Sequence, residues 1–205
     1  MTKQQKRGCA LILAGLMMVF SAMFLHLAAE KQDALAGENA QILLRQLELN
    51  RIPVDNSSAP AVPSETAPEA EQIPDTAMPE KEYLGYTMIG TLRIPSVGME
   101  LPVLSSWSYP LLNVAPCRYS GSITEGNMIL MGHNYKSHFT PLHSVCAGAA
   151  VEFENVDGVV YHYQVEEIQH LHRSEGELLP SAYPLTLFTC TPGGINRIVV
   201  RCSAA

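Results

Sequence analysis

Cys190, His133 and Arg197 are the side chains of this 205-residue sequence best suited to acyl chemistry. Cys190 ends the run "LTLFTC", and Arg197 follows it after "TPGGIN", whose proline and paired glycines mark a turn. If the flanking runs are two strands of a hairpin, the six-residue connection 191–196 returns Arg197 to the end of the sheet that holds Cys190. A cysteine nucleophile needs a base or ion-pair partner to supply thiolate, and a donor for the oxyanion that develops when it attacks a carbonyl. Among the seven histidines, His133 has the fitting context: "NMILMGHN" is an apolar strand that stops at Gly132-His133-Asn134, which puts the imidazole at a strand mouth. Strand parity places Cys190 on one face with Phe188 and Thr186, and Arg197 on one face with Val199 and Arg201. Parity does not separate the two arginines, but Arg201 lies about 13 Å further along an extended strand, so Arg197 is the expected partner of the thiol. A zinc site built from His133, His138, His143 and Cys146 is disfavoured, because the close ligand pairs of structural zinc sites are missing. His138 and His143 are expected to be dispensable for the chemistry.

The elements that must hold these groups are short. "MIGTLRI", "LPVLS", "NMILMGH", "AVEFE", "VVYHYQVEEI", "PLTLFTC" and "NRIVVRC" recur from about residue 83, punctuated by Gly, Pro, Asn and Asp. Regular short strands with turn signals predict an all-β sandwich or barrel. Val159, Tyr161, Tyr163 and Val165 alternate with less apolar positions, as in a half-buried strand. No long amphipathic helix is predicted in this part; "HFTPLHSVC" suits one short helical turn.

Upstream the texture differs. Residues 9–29 carry no charge and are long enough to cross a bilayer as a helix. Lys3, Lys6 and Arg7 precede them, which predicts a cytoplasmic segment 1–8 and an exported remainder. Ala34-Leu35-Ala36 has the form of a signal cleavage site, but a signal core runs only about 7–15 residues, so an uncleaved anchor is expected. Residues 30–50 show a partial apolar stripe of Leu35, Ile42, Leu43, Leu47 and Leu49, interrupted by Gly37, and predict a juxtamembrane spacer helix. Residues 51–82 hold six prolines and seven acidic residues against two basic ones, the composition of a stiff solvated linker that would hold a domain off the membrane. The net charge of −7 argues against a nucleic-acid partner. Four cysteines lie beyond the apolar segment. An exported setting allows a Cys117–Cys202 bridge, which needs Cα atoms within about 7 Å; the expectation leaves both unbridged.

The motifs in their order resemble the sortases, cysteine transpeptidases of Gram-positive cell surfaces. Thr186-Leu187-Phe188-Thr189-Cys190 resembles their TLxTC signature, Gly132-His133-Asn134 falls where they carry the catalytic histidine, and Arg197 falls where they carry the essential arginine. "GTLRIPSVGMELPVLSSWSYPLL" and "RYSGSITEGNMILMGHN" resemble their opening strands and the lead-in to the histidine. The resemblance implies an eight-stranded β-barrel with short helices over residues 83–205, behind a single transmembrane helix and a Pro-rich linker. It implies that Cys190 attacks an LPxTG-like C-terminal sorting motif of a surface protein, with His133 as acid and base and Arg197 on substrate carbonyls. Thr186, Phe188 and Thr189 are then candidate substrate-binding residues. The thioacyl-enzyme would be resolved by an amine of lipid II or of a pilin lysine, with no metal or other cofactor required. The short stretch between "VEEIQHL" and "LTLFTC" and the missing lid motif point to a class D-like or unassigned sortase. Two other readings stay open: another exported Cys/His enzyme, such as an L,D-transpeptidase or cysteine peptidase, and a non-enzymatic surface module.

Overall fold

The computed structural model describes residues 3–51, 78–176, 179–180 and 182–205; most of the expected linker, 52–77, and residues 1–2 of the expected cytoplasmic segment lie outside the described residues. Among these residues nine strands form one sheet. They are β1 (Lys81–Tyr83), β2 (Tyr86–Ile94), β3 (Met99–Leu104), β4 (Cys117–Ser120), β5 (Met128–Met131), β6 (Ala150–Asn155), β7 (Val160–His172), β8 (Leu185–Cys190) and β9 (Asn196–Ala204). The neighbours run β1-β2-β3-β4-β5-β8-β9-β7-β6, and β6 pairs back onto β2. Strands β2 to β9 therefore close an eight-stranded barrel, while β1 extends one edge of β2 where β6 departs. The β3–β4 and β5–β8 pairs are parallel, and the others are antiparallel.

Alternation along the strands fills the barrel. Leu185 and Leu187 point inward to meet Leu130, Phe153, Ile198 and Val200, all essentially without solvent contact. Phe188 and Val199 point outward, where Ile129 and Leu179 cover them in a small separate cluster. Helical structure in the barrel domain is brief: α2 (Tyr109–Leu112), capped by Ser108, whose hydroxyl accepts from Leu111 N, and 3-10 turns at Pro95–Val97 and Thr140–Ser144. The last is the turn that "HFTPLHSVC" suggests.

The N-terminal helix α1 (Lys3–Arg51) is unbroken, and its two halves have different surroundings. Large apolar side chains such as Met17, Phe20 and Phe24 are exposed all around its first half, and this run is long and apolar enough to cross a membrane. The second half docks on the barrel through only part of the stripe expected from sequence. Leu35, Ile42 and Leu49 are exposed, and the buried face is Ala36, Ala40, Leu43 and Leu47. Small residues make up half of that face, so α1 lies close. A Cβ on Gly37 would come within 2.9 Å of the Ser137 Cβ. Leu43 and Leu47 join Met88, Leu104, Leu112 and Cys117 in one cluster. Burying two leucines contributes roughly 3–6 kcal/mol to holding α1 in place. The distance between the apolar run and the barrel is accordingly set by α1 and not by the Pro-rich stretch. Met78 is already part of the barrel core, and Lys81 pairs with Asp157 and bonds the Val156 carbonyl.

Candidate active site

The connection 191–196 is a tight hairpin, held by Thr191 N donating to Asn196 O at 2.8 Å and Gly194 N donating to Thr191 O at 2.8 Å. It sets Cys190 directly opposite Arg197 in the β8–β9 register, so both side chains leave the same face at the same end of the sheet. Cys190 is exposed, which leaves its thiol reachable from solvent. The Arg197 guanidinium carbon sits 5.6 Å from the centre of the Phe188 ring, a cation–π contact that fixes its direction.

His133 arrives from the other side of β8. The parallel β5–β8 pairing puts Met131 opposite Phe188, and the ladder continues as Gly132 N donates to Phe188 O at 3.2 Å. The buried Thr189 hydroxyl donates to the Gly132 carbonyl at 2.9 Å. Two residues past the Met131–Phe188 pair, His133 and Cys190 emerge together. Gly132 is required by packing: a Cβ there would stand 2.7 Å from the Phe139 ring. Past His133 the chain turns back, with Phe139 N donating to His133 O at 3.1 Å, and the Tyr135 ring lies 4.8 Å from the imidazole. Burial holds His133 below the ordinary imidazole range, so the ring is a neutral acceptor at neutral pH.

These groups line a cleft of about 280 Å³ whose walls include Trp107, Tyr119, Phe188, Arg173 and Gly194. Trp107, Tyr119 and Phe188 form a run of ring contacts, with centroids 5.6 and 5.3 Å apart, along the floor toward Arg197. Roomier hollows of about 660 Å³ beside Arg118 and 610 Å³ between α1 and Ser137 contain neither a thiol nor an imidazole. Among the described residues no three potential ligands converge for a metal ion.

The sequence-derived candidates separate clearly. His133, Cys190 and Arg197 share the cleft, with Phe188 and Thr189 in its wall. Thr186 is buried under Arg201 and is absent from the cleft wall, because its hydroxyl accepts from Arg201 Nη1 at 3.4 Å. Arg201 is enclosed, donating to the Leu179 carbonyl at 2.6 Å and to Gln169 Oε1 at 3.3 Å. His138 is not a surface residue: it is fully buried, with neither ring nitrogen bonded among the described residues. Cys117 and Cys202 are free thiols on strands separated by β5 and β8, and burial pushes each up to about 12. Sequence reasoning missed Arg173, Trp107, Tyr119 and Tyr135. Arg173 follows the end of β7, next to the strand where Leu171 pairs with Arg197, and no local pattern announces that. Trp107, the sole tryptophan, stands in a serine-rich loop two residues before Tyr109, with no local pattern that ties it to the thiol.

The structure superposes on solved sortases. Sortase C1 of Streptococcus agalactiae matches at 24% identity with a TM-score of 0.52, over 58% of this chain and 67% of that one. Sortase A from Corynebacterium diphtheriae matches at 21% identity and 0.52, over 58% and 61%. Sortase C1 from Streptococcus suis matches at 24% and 0.52, over 58% and 73%. At these identities the likeness is one of fold. Comparison with curated protein sequences finds no match. The sortase-domain family profile matches residues 92–205, 114 of the 205 residues. The chain thus belongs to the sortase family of cysteine transpeptidases.

Proposed function

We propose that this sortase is a cell-surface transpeptidase that cleaves an LPxTG-like sorting motif with Cys190 and passes the acyl group to an amine, such as that of lipid II or a pilin lysine. The observation that carries the reading is the meeting of thiol, imidazole and guanidinium at the ends of three adjacent strands, in a cleft open to solvent. His133, neutral through burial, takes the thiol proton. The Cys190 sulfur bonds to the carbonyl carbon of the motif's threonine. The C–N bond then breaks, and His133 returns the proton to the leaving amine. An incoming amine gives its proton to His133 and displaces the sulfur, which leaves as thiolate and is reprotonated. Arg197, directed by the Phe188 ring, donates to the carbonyl oxygen as charge develops, and the Trp107–Tyr119 wall accommodates apolar side chains of the motif. Residues 9–29 are the membrane span, with the barrel outside the cytoplasm.

The test incubates the full chain in detergent micelles with a panel of sorting-motif peptides. A mass adduct on Cys190, absent from Cys190→Ala, is expected, since the small swap leaves the fold in place. Cleavage by Cys190→Ala at the wild-type rate refutes the assignment.

A further inference from the structure

We propose that Asp33 of α1 is a positioning residue for His133, acting through the loop that carries the imidazole. The proposal rests on the assignment of His133 as proton carrier. Asp33 Oδ1 accepts from Ser137 N at 3.0 Å, and Oδ2 accepts from Lys136 N at 3.2 Å. The Ser137 hydroxyl lies 2.6 Å from Oδ1 and 2.9 Å from the Asp33 carbonyl, and donates its one proton to either. Burial works against the charge, but the bonds from Ser137 and Lys136 outweigh it and hold the carboxyl below its ordinary range. The carboxylate is therefore ionised at neutral pH.

From this grip a chain of contacts reaches the cleft. Ser137 packs where Gly37 leaves room, and the next residue, His138, is buried. Its ring lies 5.5 Å from that of Tyr135, which in turn lies 4.8 Å from His133. Tyr135 is tethered as well: its hydroxyl donates to Asn113 Oδ1 at 3.1 Å, and its carbonyl accepts from His138 N and Thr140 N, each at 3.0 Å. Asn134 holds the opposite side of the loop, accepting from the Thr140 hydroxyl at 2.9 Å. Among the described residues no α1 side chain is in the cleft wall, so Asp33 reaches the imidazole only through the loop it holds. Two backbone donors of a seven-residue loop end on one carboxylate, and removing it frees the stretch next to Tyr135. A displacement of about 1 Å in a proton carrier can cost on the order of 100-fold in rate.

The experiment uses the full chain in detergent micelles and a fluorogenic Leu-Pro-x-Thr-Gly peptide, with Asp33→Ala, Asp33→Asn, His133→Ala and Glu38→Gln compared. Glu38 is on the exposed side of α1 and serves as the control. Asp33→Ala is expected to lower kcat about tenfold or more with KM within about twofold, because binding surfaces are untouched. Asp33→Asn keeps the size and one acceptor and should fall between it and wild type. Independently of any peptide, the ring resonances of His133 are titrated by NMR. They are expected to shift, and the titration to move up toward the ordinary imidazole range, in Asp33→Ala. Unmoved His133 resonances with wild-type kcat in either Asp33 variant overturn the proposal, as does a loss carried wholly by KM. Wild-type turnover in His133→Ala would instead remove the catalytic assignment beneath it.

Discussion

Acidification should loosen this protein by an amount that the burial of His138 sets. The ring is enclosed between α1 and the 133–139 loop, and burial pulls it from the usual 6.5 down to about 4. In the folded chain it is neutral, whereas in the unfolded chain it gains a proton below about 6.5. Its contribution is complete above 6.5 and is lost as pH falls toward 4. Each unit of difference is about 1.4 kcal/mol, so descending from about pH 7.5 to about pH 4.5 costs roughly 2–3 kcal/mol. At 205 residues this corresponds to a fall in Tm of roughly 5–10 °C. The window avoids Asp33, whose lowered carboxyl stabilises above 3.8 and loses its contribution only below that. The lowered imidazole of His133 adds to the trend in the same direction. His138→Met has similar volume and no charge to gain. It should remove most of the Tm difference between the two pH values and cost less than about 1.5 kcal/mol near pH 7.5, since the side-chain volume is conserved. Thermal melts followed by the fluorescence of Trp107 measure both. An undiminished pH difference in His138→Met would refute the reasoning.

The two arginines of β9 should fail differently. Arg197→Ala should lose about 100- to 1000-fold in single-turnover acylation with an unchanged melt, while Arg201→Ala should acylate once folded but lose about 2–4 kcal/mol, as it leaves the buried Leu179 carbonyl unpaired; equal acylation losses at both positions would contradict this. Iodoacetamide on the native chain should label Cys146 and Cys190 and spare Cys117 and Cys202, whose buried thiols stay protonated near neutral pH, and peptide mass mapping of labelled protein reads the outcome.

Seven of the strands were legible because their apolar runs are long enough to show period or punctuation. The hairpin around 191–196 was legible because proline and two glycines sit between two such runs. β4 was not: "CRYS" is four residues with a charge and a hydroxyl, and it forms only because β3 and β5 flank it. The meeting of His133 with Cys190 depends on a parallel β5–β8 pairing across more than fifty residues, which no local signal carries; the sequence marks only the strand mouth at His133, and the family resemblance adds its partnership with Cys190. α1 was legible only in part, for a physical reason. Leu43 and Leu47 of the expected stripe are buried, but the rest of the docked face is Ala36 and Ala40, with Gly37 against Ser137, and small residues show no apolar stripe in a sequence.

An unbroken α1 also makes the helix a ruler for the cleft. If the proposed span ends at residue 29, Asp33 grips the loop bearing His133 four residues later, a rise of about 6 Å along the helix axis. On that reading the loop bearing His133 would lie near the headgroup layer, at a height that α1 fixes. Height and heading are coupled, since each residue inserted between 29 and 33 would raise the cleft by about 1.5 Å and swing it around the axis by about 100°. With that span, a scissile bond would have to be presented close to the bilayer and from one compass direction, whatever the length of the Pro-rich segment that leads from α1 to the barrel.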